Sequence, residues 1–254
     1  MTFATYPSLA GRVVLVTGGA SGIGADIVRA FAGQGARIAF LDILDSEAEA
    51  LIEELKTTAG EVVYLHCDLT DIEALKAAVG EVRRKLGPVA VLVNNAANDE
   101  RHKIDDVTVE YWDQSQAINL RPQFFAAQAV RQHMKELGYG SIINFASIAW
   151  RGGADGMVSY ATAKAAVGGL TRALARGFGG DNIRVNAIEP GAVITEKQKR
   201  LWYPDPRQIE AMVSRQAIKQ VLLGDEIART VLFLAADDSR MITKQSITVD
   251  AGMR

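Results

Sequence analysis

Residues 12–17, Arg-Val-Val-Leu-Val-Thr, form a short β-branched apolar run. They lead directly into Gly18-Gly19-Ala20-Ser21-Gly22-Ile23-Gly24 and then a helix-period segment from Ala25 to Gly33. A run of this kind suits a strand buried on both faces, as in a parallel sheet. Strand, glycine loop and helix in immediate succession is the context in which a glycine pattern reads as a nucleotide site. The glycines permit a tight turn and close approach of the backbone to a pyrophosphate. The helix N-terminus offers free N–H groups and a positive dipole end to that anion. A flexible turn explains the glycines alone, but not the strand and helix that flank them.

The rest of the chain repeats the alternation. Further strands are expected at 36–41, 61–66, 89–93, 140–145, 181–188 and 245–249, with helices at 45–59, from near 71, at 107–137, from 158 and at 224–236. Asp45 or Ser46 suits the cap of the first of these helices, and Pro122 predicts a break or kink in the 107–137 segment. The 197–219 stretch, with Pro204 and Pro206, reads as polar and irregular, a mobile lid within about 192–220. Strands alternating with helices from end to end predict one α/β domain, a doubly wound Rossmann-type fold with a seven-stranded parallel sheet. Ligands of such sheets bind beyond the carboxyl ends of the strands. Gly22, Asp42, Asp68, Asn95, Ser147 and Pro190 all fall at such ends, which predicts one shared site.

Asp42 lies 18 residues after Gly24. An acid about 20 residues on accepts hydrogen bonds from the adenosine ribose of a dinucleotide and repels a 2′-phosphate. No Arg or Lys stands between Gly18 and Gly24, so NAD is expected over NADP; a strand-end turn residue is the bland alternative for Asp42. Asp68 either meets the adenine or caps the helix near Asp71. His66 is expected to pack at its strand end.

Tyr160 and Lys164 are spaced i, i+4, which puts both on one helix face. A phenol ionises near 10 and is a poor base at neutrality; an ammonium beside it favours the phenolate. The pair then accepts a proton from an alcohol. A surface Tyr-Lys pair is common, so the reading depends on Ser147, thirteen residues earlier, which a loop can fold back towards the phenol. Asn119 stands inside the long helical segment, where asparagine is mildly unfavourable.

Thr17-Gly18 to Gly24, Asn94-Asn95-Ala96, Asn119, Ser147, Tyr160-x-x-x-Lys164 and Pro190-Gly191 together resemble the short-chain dehydrogenase/reductase family over nearly the whole chain. The resemblance implies that Tyr160 is the catalytic acid/base and that Ser147 hydrogen-bonds the reacting oxygen. It implies that Lys164 lowers the tyrosine pKa and binds the nicotinamide ribose, and that Asn119 holds a water linking Lys164 to solvent. The implied NAD contacts are Gly18, Ser21, Gly22, Ile23 and Gly24, then Asp42, Asp68, Leu69, Asn95 and Ala96, and finally Tyr160, Lys164, Pro190, Gly191, Val193 and Thr195. Two positions depart from the pattern: Ala97 where glycine is usual, and Lys244-Gln245 where a Thr-Gly-Gln sequence is common.

Within the family, Tyr6 to Leu9, Asn98 to Lys103, Tyr111-Trp112-Asp113, Trp202-Tyr203 and Asp250-Ala-Gly252 resemble members that oxidise an aldose such as D-xylose at C1 to the lactone. That implies a sugar substrate met by Asn98, His102, Ser147, Tyr160 and Trp202. The alternatives are another secondary alcohol, a sugar acid or a 3-oxoacyl thioester; a NAD-binding protein without activity has no need of all four residues Asn119, Ser147, Tyr160 and Lys164. Lys plus Arg is 28 and Asp plus Glu 30, so a net charge of −2 predicts neither nucleic-acid nor membrane partners. Cys67 is the only cysteine, and no leader-like segment opens the chain, so a cytoplasmic protein is expected. No metal site is expected, and the family resemblance implies a homotetramer.

Overall fold

In the computed structural model, residues 4–57, 60–153 and 155–253 are described. The strands are β1 (Val13–Thr17), β2 (Arg37–Asp42), β3 (Val62–His66), β4 (Val91–Asn94), β5 (Gly140–Phe145), β6 (Ile183–Pro190) and β7 (Ser246–Val249). Ten α-helices connect them among the described residues: α1 (Gly22–Ala32), α2 (Asp45–Leu55), α3 (Ile72–Leu86), α4 (Val109–Asn119), α5 (Arg121–Leu137), α6 (Ala149–Gly152), α7 (Val158–Phe178), α8 (Glu196–Leu201), α9 (Pro206–Ser214) and α10 (Gly224–Ala235). The strands form one parallel sheet in the order β3-β2-β1-β4-β5-β6-β7. The order reverses between β1 and β4, which opens a crevice at their carboxyl ends.

Period-two alternation explains why these strands carry no polar face. Val14 and Val16 of β1 pack with Ile27, Phe31 and Val231 of α1 and α10. Val13 and Leu15 pack on the other side with Val79, Val130 and Leu174 of α3, α5 and α7. Both faces are apolar because both are covered.

Several boundaries differ from the sequence-based expectation. α2 ends at Leu55, and residues 58 and 59 of the expected helix lie outside the described residues. Its cap residue is Leu44, with no side-chain cap; the Asp45 carboxylate is taken instead by the Tyr64 hydroxyl and by His66 Nδ1, at 2.5 and 2.8 Å. His66 is therefore an exposed hydrogen-bond partner of Asp45 rather than a packed residue. The long 107–137 segment is two helices broken at Leu120 (φ −127°, ψ −55°), beside Pro122. β6 begins at Ile183 because Asp181 belongs to a short 3₁₀ turn and Asn182 turns the chain with φ +57°. The 197–219 stretch is not irregular: it holds α8, capped by Thr195, and α9, capped by Asp205 and begun by Pro206.

Lys244, at one of the two departures from the family pattern, has φ +67°. Its N–H donates to Val185 O at 2.8 Å and Gln245 N–H to Asn186 Oδ1 at 3.1 Å, so β6 holds this turn. A non-glycine residue pays about 1–2 kcal/mol in the left-handed region, and glycine returns about 0.5–1 kcal/mol in unfolded-chain entropy. Lys244→Gly is expected to stabilise the protein by about 0.5–1 kcal/mol in chemical denaturation; a destabilised variant would show that the lysine side chain outweighs the strain.

Candidate active site

The glycine loop is built around close backbone approach. Gly18 has φ +66°, and a Cβ there would lie 2.7 Å from Ala96 Cα. A Cβ on Gly24 would collide with the Gly18 carbonyl oxygen. α1 starts at Gly22, and the Ser21 side chain makes no cap hydrogen bond, so the first-turn N–H groups face the crevice without a capping oxygen. Asn95 spans the β1–β4 gap: its Nδ2 donates to Thr17 O (3.1 Å) and Gly18 O (2.8 Å). Thr17 Oγ1 accepts from the N–H groups of Asn95 and Ala96 at 3.1 and 3.2 Å. This shape and these free donors fit the pyrophosphate of a dinucleotide.

Asp42 ends β2. One carboxylate oxygen accepts from Ala20 N–H at 2.9 Å, the other from Ile43 and Leu44 N–H at 2.8 and 3.2 Å. The acid thus also ties the glycine loop to β2, and the turn-residue reading is part of its role. Asp68 does not cap α3. It accepts from Thr70 N–H and hydroxyl at 2.9 and 2.8 Å, while Asp71 caps the helix through Glu73 and Ala74 N–H. Leu69 beside it packs against the apolar layer under α3.

At the far side of the crevice, Pro190 O accepts from Ile148 N–H (3.2 Å) and Gly191 N–H donates to Val249 O (2.9 Å). A Cβ on Gly191 would meet Asp250 Cα at 2.7 Å. Val193 is buried, and the Thr195 methyl faces Gly22 across the crevice, 3.4 Å from where a Cβ on Gly22 would stand. The two glycine-bearing loops therefore approach each other.

α7 presents Tyr160 and Lys164 one turn apart, with Lys164 Nζ 5.5 Å from the Tyr160 ring centre. Ser147, at the end of β5, hydrogen-bonds the Tyr160 hydroxyl and accepts from Ala149 N–H at 3.1 Å. Lys164 is 1 % exposed and donates to Phe145 O at 2.8 Å. Protein burial alone reverses part of the expected electrostatics. Desolvation pushes the Tyr160 phenol above its ordinary value, opposed by the Ser147 hydrogen bond, and brings the Lys164 ammonium down to about 7. A lysine that gives up its proton near neutrality does not by itself hold the phenol low. A positive nicotinamide ring bound beside the pair would act in that direction.

Asn119 is not inside a helix: it is the last residue of α4 and is buried. Its side chain clamps Asn98, accepting from Asn98 N–H at 2.9 Å and donating to Asn98 O at 3.1 Å. It also donates to Ser115 O of α4 at 3.0 Å, so the side chain ties the loop after β4 to the end of this helix. Asn98 is half-buried there. His102 donates its N–H to Gly156 O at 2.8 Å and pairs Nδ1 with the Tyr111 hydroxyl at 2.7 Å. Trp202, at the end of α8, lies under the Arg101 guanidinium at 4.3 Å.

Two pairs went unassigned in the sequence. Glu189, 1 % exposed near the end of β6, takes a two-pronged ion pair from Arg151 of α6 at 2.6 and 3.1 Å. Asp99 accepts from Lys197 and Gln198 of α8 at 3.2 and 2.5 Å. A carboxylate inside the apolar run Asn-Ala-Ile-Glu-Pro was the one available signal for the first, since a buried charge needs a partner.

The family model described as enoyl-(acyl carrier protein) reductase matches residues 18–254. The chain belongs to the short-chain dehydrogenase/reductase family. Such an enzyme uses a nicotinamide cofactor and acts on CH–OH groups. The chain is 48% identical to the probable galactose dehydrogenase GalD of Rhizobium meliloti over 98% of its length and 97% of that protein's. It is 47% identical to D-xylose 1-dehydrogenase of Caulobacter vibrioides, over 100% of both chains. The structure of a 7α-hydroxysteroid dehydrogenase complexed with NADH and 7-oxoglycochenodeoxycholic acid superposes with a TM-score of 0.92 at 30% identity, covering 99% and 98% of the two chains. No helix among the described residues is long and apolar enough to cross a membrane.

Proposed function

We propose that this short-chain dehydrogenase oxidises an aldose, a D-xylose-like pentose or a related sugar, at C1 to its lactone with NAD. The observation that carries the reading is a pair of buried side-chain nitrogens at the sugar side. His102 Nε2 and Trp202 Nε1 have no hydrogen-bond partner among the described residues. A buried polar group left unpaired costs about 1–3 kcal/mol, and sugar hydroxyls satisfy such groups where an acyl chain does not. The relatives named for galactose and D-xylose fit that chemistry.

A bound nicotinamide supplies the hydride acceptor. Gly18 to Gly24 hold the pyrophosphate, Asp42 and Asp68 the adenosine end, and Pro190 to Thr195 with Lys164 the nicotinamide end. Tyr160 Oη takes the C1 hydroxyl proton as the C1–H bond breaks and the carbonyl forms. Ser147 Oγ hydrogen-bonds the same oxygen and holds it towards the phenol. Asn98, His102 and Trp202 position the remaining hydroxyls under a lid comprising about 192–220. Asn119 acts in this scheme by fixing Asn98. The exposed Val109 and Phe124 of α4 and α5 suit the homotetramer expected from the family, and the reading is of a cytoplasmic enzyme.

One experiment tests substrate and cofactor together. An aldose panel is assayed with NAD and with NADP, and the early product is followed by NMR. Lactone is expected first, with acid appearing on its hydrolysis. NAD is expected to be preferred by about 2–4 kcal/mol in kcat/KM, because Asp42 would face the 2′-phosphate unpaired. A keto-sugar product, turnover of a 1-O-methyl glycoside, or an equal kcat/KM with NADP would each overturn the corresponding half.

A further inference from the structure

His102 is fixed through both its main chain and its ring. Its N–H donates to Gly156 O at 2.8 Å, in the segment that leads into α7. Its ring stands edge-on to that of Tyr111, with ring centres 4.7 Å apart and planes at 64°. Its Nδ1 lies 2.7 Å from the Tyr111 hydroxyl. Tyr111 in turn sits in the first turn of α4, where its N–H donates to the hydroxyl of the capping Thr108 at 3.2 Å. A helix end therefore fixes the phenol, and the phenol fixes the imidazole.

The same contact chooses a tautomer. In a neutral imidazole one nitrogen donates and the other accepts. If Nδ1 carried the proton, it would donate to the Tyr111 oxygen, and the phenol proton would have only Glu100 O, at 3.4 Å. That is outside the usual O–H···O range of about 2.5–3.0 Å. If the phenol donates to Nδ1, its proton is used in the 2.7 Å contact, and the carbonyl of the exposed Glu100 is left to solvent. Burial, together with the Glu100 charge, holds the Tyr111 phenol above its ordinary value, so it has a proton to give. The ring proton of His102 then stands on Nε2, the buried nitrogen that meets no hydrogen-bond partner among the described residues. Trp202 Nε1, buried and unpartnered in the same way, is a donor by its chemistry. Its ring lies against the same loop, under Arg101.

We propose that Tyr111 is a positioning residue for substrate recognition: its hydroxyl holds His102 in the Nε2–H form, so that the imidazole donates to a sugar oxygen. The proposal rests on the reading of the protein as an aldose dehydrogenase, and it names the polarity of the sugar side. With both nitrogens as donors, discrimination falls between a hydroxyl and a methylene at the contacted carbon, because a deoxy sugar leaves a buried N–H without a partner. Loss of the Tyr111 hydroxyl frees the ring to carry its proton on the other nitrogen, with the same consequence.

The test has a spectroscopic arm and a kinetic one. The chain holds three histidines. Nitrogen NMR of the cofactor-free protein, isotopically labelled at histidine and with His102→Asn to assign the signals, reads which ring nitrogen carries the proton. At a pH where the ring is neutral, the proton is expected on Nε2; a proton on Nδ1 overturns the proposal, and this reading needs no activity. In the kinetic arm, Tyr111→Phe keeps the ring and removes the hydroxyl. It is expected to raise KM for the preferred aldose by about 3–10-fold with kcat nearly unchanged, the pattern of a contact made equally in the ground and transition states. Among singly deoxygenated analogues of that sugar, the one lacking the contacted hydroxyl is expected to serve wild type and variant alike, while the others keep the gap. An unchanged KM, or a gap equal for every analogue, shows a packing role only and overturns the proposal. A wild-type protein that turns over no aldose overturns the aldose reading instead, and the NMR arm separates that failure from a wrong tautomer.

Discussion

Tyr160→Phe is expected to lower aldose oxidation by about 10²–10⁴-fold, the usual contribution of a positioned acid/base, while the protein stays folded and binds NAD. The ring that packs on α7 is kept, and the substitution takes away the hydroxyl with its hydrogen bond to Ser147. The sign of the pH dependence follows from the site. Burial holds the phenol above its ordinary value, and the acceptor is the phenolate, so wild-type oxidation rises with pH and levels off once the phenolate has formed. That limb is expected to vanish in Tyr160→Phe. Lys164→Met is expected to cost rate as well and to weaken NAD, because in the proposed scheme Lys164 holds the nicotinamide end and stands one turn from the phenol. The double variant is expected to be little worse than the worse single one, since the two residues act as a unit. Calorimetry for NAD binding and a steady-state pH profile check all three statements. A folded, NAD-binding Tyr160→Phe protein with near-wild-type activity would remove the proposed mechanism.

Arg151→Met is expected to destabilise the protein by about 3 kcal/mol, the low end for leaving a buried charge without its partner. The low end applies because the arginine side chain keeps 34% of its surface in water while Glu189 keeps 2%. With the guanidinium gone, the Glu189 carboxylate retains the Thr248 hydroxyl at 3.3 Å. For a chain of this size the loss corresponds to roughly 6–12 °C in Tm. Replacing both members, Arg151→Met with Glu189→Leu, is expected to recover most of it, because a well-packed apolar pair avoids the desolvation cost. The pair also links α6, two residues after Ser147, to the strand end that carries Pro190. The single variant is therefore expected to lose kcat beyond its loss of stability, at temperatures where it is fully folded. An Arg151→Met protein as stable as the wild type would mean that water or another group already satisfies Glu189.

Much of this architecture is readable without coordinates, and the reasons are local. β5 begins at Gly140 and ends at Phe145, as its apolar run predicts, and the strand–glycine–helix start places Gly18 and Gly24 where only glycine fits. The break beside Pro122 follows from a ring that removes an N–H. Apolar runs without a polar face require a sheet covered on both sides, and that requirement carries six strand ends to one crevice.

What the one-dimensional order does not contain is set by burial and by pairing between distant segments. The direction of the Tyr160 shift is an example. The i, i+4 spacing places a cation beside the phenol, but the desolvation that pushes the phenol up and the lysine down exists only once α7 is packed against β5 and β6. Asn119 looks like a misplaced helix residue until the loop carrying Asn98 folds onto it. Arg151 with Glu189, and Asp99 with Lys197, are 38 and 98 residues apart; apart from the place of Glu189 in an apolar run, nothing local distinguishes these residues from ordinary surface charges. Propensity, periodicity and turn chemistry are properties of neighbouring residues, so the sheet, its glycine loop and the Tyr-Lys spacing are written in the chain order. Solvation and charge pairing are properties of the packed volume, so it takes the folded chain to choose which of those residues are poised for chemistry and which hold the others in place.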